Sequence, residues 1–160
     1  EIVAIGGGNS ALEEAVSLAR YASKVTIIHE FDHFQALPWA VEEAKANPRI
    51  EFLMNQRVLD FEGGQSLERV RVQDKATGEQ RAVEASGCFV FIGYVPRTAE
   101  LQGLVALNDR GEIVTDEALA TSVPGVFAAG DGRVKRHRQI TTATADGTIA
   151  ALSALEYLHR

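Results

Sequence analysis

The sequence predicts an α/β fold built as three layers, with a parallel sheet, packed helices and an antiparallel meander covering one side of the sheet. Three observations carry that reading. A strand, a glycine turn, a helical stripe and a second strand follow one another between residues 2 and 29. The hydrophobic period then switches from helical to alternating over residues 57–84. Finally, an apolar run returns at residues 89–92, closed by Gly93 and Pro96.

Taken in order, residues 2–5 are a short apolar run ending in Gly6-Gly7-Gly8, the pattern of a buried parallel strand and a tight turn. Asn9 and Ser10 offer capping side chains, and Glu13 three residues after Ser10 completes a capping-box pattern. Ala11, Leu12, Ala15, Val16, Leu18 and Ala19 form one stripe, so a helix is expected to about residue 21. Residues 24–29 are the second strand, and the crossover between the two is expected to be right-handed. Pro38 suits the first turn of a helix reaching about residue 46, with Trp39 on its core face, and Asn47-Pro48 ends it. Residues 50–54 are a third strand. Residues 57–62, 67–74 and 80–84 alternate, with turns at Gly63-Gly64 and Thr77-Gly78. Val70 and Val72 would face one way, Arg69 and Arg71 the other. Residues 89–92 return as a buried strand, and Cys88, just before it in the same apolar run, is expected to be a small buried core residue.

Beyond Pro96 the texture loosens, and a domain boundary is placed there: residues 1–95 and 96–160. Asn108-Asp109-Arg110-Gly111 is a turn before a strand at 112–114, and a further short strand at 126–129 ends in Gly130-Asp131. The last stretch, about 139–159, is helical, with a stripe at Ile149, Leu152, Leu155 and Leu158.

The chemistry starts at the glycines. Gly6-x-Gly8-x-x-Ala11 is a dinucleotide fingerprint of the Rossmann-like kind, and it stands between a strand and a helix as that reading requires. The first glycine permits the turn, the second lets backbone approach a pyrophosphate, and Ala11 keeps helix and strand close. Helix-start amides then face the phosphates, with Asn9 and Ser10 able to add side-chain bonds. Glu30, at the end of the second strand beside His29, is suited to accept hydrogen bonds from both adenosine ribose hydroxyls and to repel a 2′-phosphate. That repulsion is on the order of 4 kcal/mol at about 4 Å near a protein surface. No arginine lies between Glu30 and Pro48, so NADH is expected over NADPH. A second half-site is read at Gly130-Asp131, where the aspartate can accept from sugar-type hydroxyls. Arg138-Gln139-Ile140 open a helix whose free amides can stabilise an anionic, reduced flavin.

Bulk properties exclude other classes. The 160 residues suffice for one domain or two small lobes, and 46% apolar with 24% charged residues is a soluble globular composition. No apolar run reaches the roughly 20 residues of a membrane helix. The net charge of −6 and the lack of a long basic stripe argue against nucleic acid; the basic cluster Arg133, Lys135, Arg136, His137 and Arg138 is short. A single cysteine rules out an internal disulfide and suits the cytoplasm. His29 and His33 have no ligand partners at metal spacing, so no metal site is expected. His137 is expected as a solvated loop residue. Glu1 opens directly into a strand pattern, so the sequence is expected to be cut from a longer chain, with no secretory signal at its start.

Ile5-Gly6-Gly7-Gly8-Asn9-Ser10-Ala11 with Glu13-Glu14-Ala15 resembles the nicotinamide loop of bacterial thioredoxin reductases. Phe91-Ile92-Gly93-Tyr94-Val95-Pro96-Arg97-Thr98 is similar to their return strand. Residues 121–131 with Arg138-Gln139 look like their flavin-site signature. The three motifs span nearly the whole chain in the family's order. The resemblance implies a homodimeric flavoenzyme that passes electrons from a nicotinamide cofactor through FAD to a Cys-x-x-C pair and on to a thioredoxin-like protein. Residues 1–95 would be most of the nicotinamide domain, with Ile92 and Gly93 at the cofactor. Residues 96–160 would be the C-terminal part of the FAD-binding domain, with Gly130, Asp131, Arg138, Gln139 and Ile140 at the flavin. The N-terminal half of that domain, with the Cys-x-x-C, would lie outside this chain, so no catalytic residue is assigned and the piece alone is expected to be inactive. The arginine-rich segment that follows the second strand in the family reads His29-Glu30-Phe31-Asp32-His33-Phe34-Gln35-Ala36 here, and Ala145 stands where a glycine is common. Two alternatives stay open: the same scaffold serving another acceptor or donor, peroxiredoxin-linked or ferredoxin-type, and a non-enzymatic dinucleotide-binding module.

Overall fold

Short β-branched runs bounded by glycines and turns give four parallel strands, and their register sets everything else in the first half of the chain. The computed structural model describes residues 1–159. They divide into two units, Glu1–Gly93 and a second beginning at Tyr94. In the first, strands β1 (Ile2–Ile5), β2 (Val25–Ile28), β3 (Ile50–Leu53) and β7 (Gly87–Val90) form one sheet in the order β3-β2-β1-β7. Ile2 sits level with Val25 on one side and Gly87 on the other, so all strands end together. Between them run helices α1 (Asn9–Leu18) and α2 (Pro38–Ala46), and a second sheet of β4 (Gln56–Gly63), β5 (Leu67–Asp74) and β6 (Gln80–Glu84).

Alternation along β1 sorts side chains between two cores. Ala4 joins Leu12, Ala15, Ile27, Ala40 and Ala44 under the helices. Val3 joins Ile28, Val70, Val72 and Ala85 under the meander. The antiparallel face divides as its sequence alternates: Val70 and Val72 are fully buried, whereas Arg69 and Arg71 point outward to Glu62 and Asp60. The small helix residues explain the close packing, since alanines bring α1 and α2 down onto the sheet without a bulky spacer.

Several expectations need correction. Helix α1 ends at Leu18 and its N-cap is Gly8, with no side-chain cap; the capping box at Ser10 and Glu13 does not form because Asn9 and Ser10 are already helical. The return strand is Gly87–Val90, two residues earlier than read, and as an edge strand it leaves Phe89 and Val90 exposed. Cys88 is half-buried against the meander-side core, where burial pushes its thiol up. Trp39 is half exposed, not core; Ala40 and Ala44 alone of α2 are buried.

The second unit is mostly turns before its long helix α3 (Ile140–Leu158). The strands expected at 112–114 and 126–129 shrink to isolated bridges, Ile113 with Leu107 and with Arg133, and Phe127 with Ala120. The α3 stripe of Ile149, Leu152, Leu155 and Leu158 is exposed. A short 3-10 turn covers Ala99–Leu101. Among the described residues no helix is long and apolar enough to cross a membrane.

Candidate functional site

A cleft of about 550 Å³ opens at the carboxyl ends of β1, β2 and β7, the edge where open α/β sheets place their ligands. Its floor is the glycine loop. Gly6 leaves β1 with φ +138, and its amide donates to the Ile28 carbonyl at 2.9 Å, so the turn is bound to the neighbouring strand. A Cβ built on Gly8 meets nothing within 4 Å, which leaves bare backbone facing the open space. The first α1 bond runs from the Leu12 amide to the carbonyl of the N-cap, Gly8, at 3.3 Å. The amides of the preceding turn are thus the orphan donors that make helix starts attract anions.

Gly6, Gly8, Asn9 and Ser10 line the cleft on this side; His29, Glu30, Ile92 and Gly93 line it from the other strand ends. Ala11 stands behind the loop, fully buried, 3.2 Å from where a Gly6 Cβ would lie. Its part is to keep helix and strand close. Asn9 is partly committed elsewhere, its Oδ1 accepting the Leu37 amide at 2.7 Å. With the Gln35 amide donating to the Gly7 carbonyl at 2.8 Å, this ties the 31–37 loop over the glycines.

His29 is a wall, not a free ligand. Only 4% of it is exposed, and a Cβ on Gly7 would come within 2.3 Å of its ring. The ring stacks on Phe34, and Nε2–H donates to the His33 carbonyl at 3.0 Å. Burial lowers its pKa, against the opposing pull of that carbonyl. A depressed folded pKa means the neutral ring supports the loop above the unfolded value of about 6.5, and that support is lost as pH falls through the folded value. Exchange of the Gln35 amide, which donates to the Gly7 carbonyl, corrected for its intrinsic pH dependence, is expected to quicken as pH falls below that unfolded value.

Glu30 stands at the mouth of the cleft, half exposed, but not alone. Lys75 Nζ donates to its Oε1 at 3.1 Å, and this pairing first, then Arg57, holds the carboxyl below its ordinary range. The cations facing Glu30 are absent from the loop after β2, where residues 30–37 include no lysine or arginine. They come instead from the meander: Arg57, the second residue of β4, lines the cleft together with Phe31, Gln35, Gln56 and Val58. No local pattern announces this. It follows from pairing, since the Gln56 amide donates to the His29 carbonyl at 2.9 Å and the Lys75 amide to the Asn55 carbonyl at 2.8 Å.

In the second unit, Asp131, Arg138, Gln139 and Ile140 border one shallow recess at the start of α3, with Ala143 and Thr144. Gly130 lies behind it, at φ +84, with its amide donating to Asp146 Oδ2 at 3.1 Å. The Gln139 amide donates to Thr142 Oγ1 at 3.1 Å, which satisfies one helix-start donor within the helix itself. Arg138 pairs with the buried Glu112 and lies 5.0 Å from the Tyr94 ring centroid. His137 is exposed, as expected of a loop residue. The sequence reading missed Asp146, which is 5% exposed and accepts from Arg133 at 2.9 Å and Lys135 at 2.7 Å. Its signal in the sequence is the basic run eleven to thirteen residues earlier. Among the described residues no group of three or more His, Cys, Asp or Glu is placed to hold a metal.

The sequence pattern of the pyridine nucleotide-disulphide oxidoreductases matches residues 1–147. The chain is 42% identical over 164 residues to a thioredoxin reductase of Peptoclostridium acidaminophilum, covering 99% of this chain and 52% of that protein. It is 39% identical over 158 residues to a 34.2 kDa protein in the rubredoxin operon of Clostridium pasteurianum, covering 99% and 51%. Among solved structures, thioredoxin reductase from Lactococcus lactis superposes with a TM-score of 0.82 at 35% identity, covering 98% of this chain and 52% of that one. The chain therefore spans about half the length of the relatives it matches.

Proposed function

This chain belongs to the pyridine nucleotide-disulphide oxidoreductase family, and from that we propose that residues 1–95 bind a nicotinamide dinucleotide, NADH in preference to NADPH, and that residues 96–160 complete a FAD-binding domain. The parent protein is then a flavoenzyme of the thioredoxin reductase kind, acting on a thioredoxin-like disulfide. The observation that supports this best is the cleft itself: bare glycine backbone and unpaired helix-start amides on one side, a carboxylate on the other, all at the ends of parallel strands.

The residues suit such a ligand. The amides at the start of α1 would hold the pyrophosphate, since a Cβ-free Gly8 lets oxygen atoms reach them. Glu30 would accept hydrogen bonds from the adenosine ribose, and Ile92 with Gly93 would border the nicotinamide end. In the second unit, Asp131 would accept from hydroxyls of the flavin side chain, with Arg138, Gln139 and Ile140 beside the ring. When bound, the two cofactors supply hydride transfer and electron relay. The chain's single cysteine cannot form a dithiol, so a redox pair would come from other residues of the parent.

Titrating the full polypeptide with NADH and NADPH tests the reading. Wild type is expected to bind NADH at least several-fold more tightly, and Glu30→Arg to reverse the order by supplying a bidentate partner for the 2′-phosphate. Tighter binding of NADPH by the wild type would refute the role given to Glu30.

A further inference from the structure

We propose that Lys75 is a specificity-determining residue of the cleft: paired with Glu30 it keeps the site fitted to a ribose diol, and freed from Glu30 it, with Arg57 beside it, accepts a 2′-phosphate. This rests on the dinucleotide reading of the cleft and extends it to the meander, an element the glycine fingerprint does not contain.

The placement of Lys75 is built, not incidental. It sits in the turn between β5 and β6, whose shape is fixed by Asp74: its Oδ1 accepts the Ala76 amide at 2.8 Å and the Thr77 amide at 3.0 Å. The other carboxylate oxygen accepts from Gln56 at 2.9 Å, so Asp74 is spent on the turn and does not compete for Lys75. The turn is fastened through Asn55 to the loop that follows β2. The Lys75 amide donates to the Asn55 carbonyl at 2.8 Å, and the Asn55 amide to the Phe31 carbonyl at 3.1 Å. Asn55 itself adopts φ 58, a left-handed bend that asparagine tolerates better than most residues. From that platform the Lys75 ammonium lies 5.2 Å from the Phe31 ring centroid and reaches Glu30 Oε1. The aromatic face and the carboxylate hold one ammonium at one spot.

The charge arithmetic of the corner then has two states. With Glu30 ionised, Lys75 is neutralised by it, and Arg57 adds a second positive charge that acts on the same carboxylate. A 2′-phosphate would have to break the Glu30–Lys75 bond or sit against the carboxylate, and like charges at contact cost more than a water-exposed ion pair returns. With the carboxylate removed, two cations, Arg57 on β4 and Lys75 in the turn after β5, are left at this corner without any change of backbone. Nothing in the segment after β2 is needed for that change.

Equilibrium titration of the full polypeptide with NADPH and NADH provides the test, using wild type, Glu30→Gln, Lys75→Met, and the doubles Glu30→Gln/Lys75→Met and Glu30→Gln/Lys75→Arg. Glu30→Gln is expected to strengthen NADPH binding about tenfold, an increase that shrinks as salt is raised. Lys75→Met in the same background should return NADPH affinity to within about twofold of wild type, while Lys75→Arg keeps most of the gain. Lys75→Met alone should weaken NADH several-fold, because Glu30 loses the partner that holds it. A Glu30→Gln variant with no gain, or a gain that survives Lys75→Met, would overturn the role of Lys75 while leaving the cleft as a dinucleotide site. Failure of every form, wild type included, to bind either dinucleotide would overturn the cleft reading itself.

Discussion

Replacing Gly6 with alanine is expected to cost about 3 kcal/mol of stability and to weaken dinucleotide binding at least tenfold. The reason is geometric. At φ +138 an L side chain is strained before any contact is counted. The added methyl would also lie 2.4 Å from the Phe91 carbonyl oxygen and 3.0 Å from its carbon. That carbonyl cannot retreat cheaply, because the Phe91 amide is tied to the Ile5 carbonyl at 2.7 Å, alongside the β1–β7 pairing. On the opposite side the methyl meets Ala11, which is fully buried. The loop must therefore shift, and the helix-start amides shift with it. Gly8→Ala is the control that separates fold from binding. Gly8 has ordinary extended φ and ψ, −89 and 178, and its Cβ would meet open space. Its stability cost should be about 1 kcal/mol or less, as for an N-cap that loses glycine, yet the methyl projects where backbone must meet phosphate, so affinity should still fall. Denaturant unfolding and NADH titration of both variants decide the matter. Equal stability losses would show that Gly6 is not held as tightly as its contacts indicate.

Much of this was legible in advance, for identifiable reasons. Period-2 alternation at Val70 and Val72 against Arg69 and Arg71 marks the buried face of the meander because one face of that sheet is dry and the other wet. Gly6, Gly8 and Ala11 were legible because their roles are steric and local. The misreadings were non-local. A capping box needs residues 10 and 13 at the right turn, and the glycines let the helix start one residue before Ser10. The return strand looks buried by composition, yet its place at the sheet edge is a matter of strand order, which hydrophobicity does not encode. The apolar stripe of α3 is likewise present in sequence and exposed in this chain. Lys75 and Arg57 were invisible because they lie 45 and 27 residues from Glu30, delivered by strand pairing.

The second large effect is expected at Asp146. Asp146→Ala should destabilise the protein by about 3 kcal/mol, the scale for leaving partly buried cations without their anion. Asp146 Oδ1 and Oδ2 accept a forked pair of bonds from Arg133, each 2.9 Å, and Oδ2 also takes Lys135 at 2.7 Å and the Gly130 amide at 3.1 Å. One helix residue thus holds the whole bend from Gly130 to Lys135, the segment that carries Asp131 to its recess. Lys135 has only 7% of its side chain exposed, so its charge cannot simply turn to water when the partner is lost. Arg133 keeps some support from Thr115 and the Val134 carbonyl, which is why the expected cost stays at the lower end of the range for a broken buried pair. The same contacts fix a pH dependence. Arg133 above all, then Lys135 and the Gly130 amide, hold the Asp146 carboxyl well below the usual carboxylate range, against the opposing effect of burial. Its contribution is therefore complete above the unfolded value of about 4 and drains away as pH falls below it toward the folded value. Asp146→Asn keeps the shape but carries no charge to titrate. Unfolding free energies measured from pH 6 down to pH 3 should fall less steeply for Asp146→Asn than for wild type, and the two curves should converge on the acid side. Parallel curves would mean that the bend from Gly130 to Lys135 is held by packing, with the ion pairs contributing little.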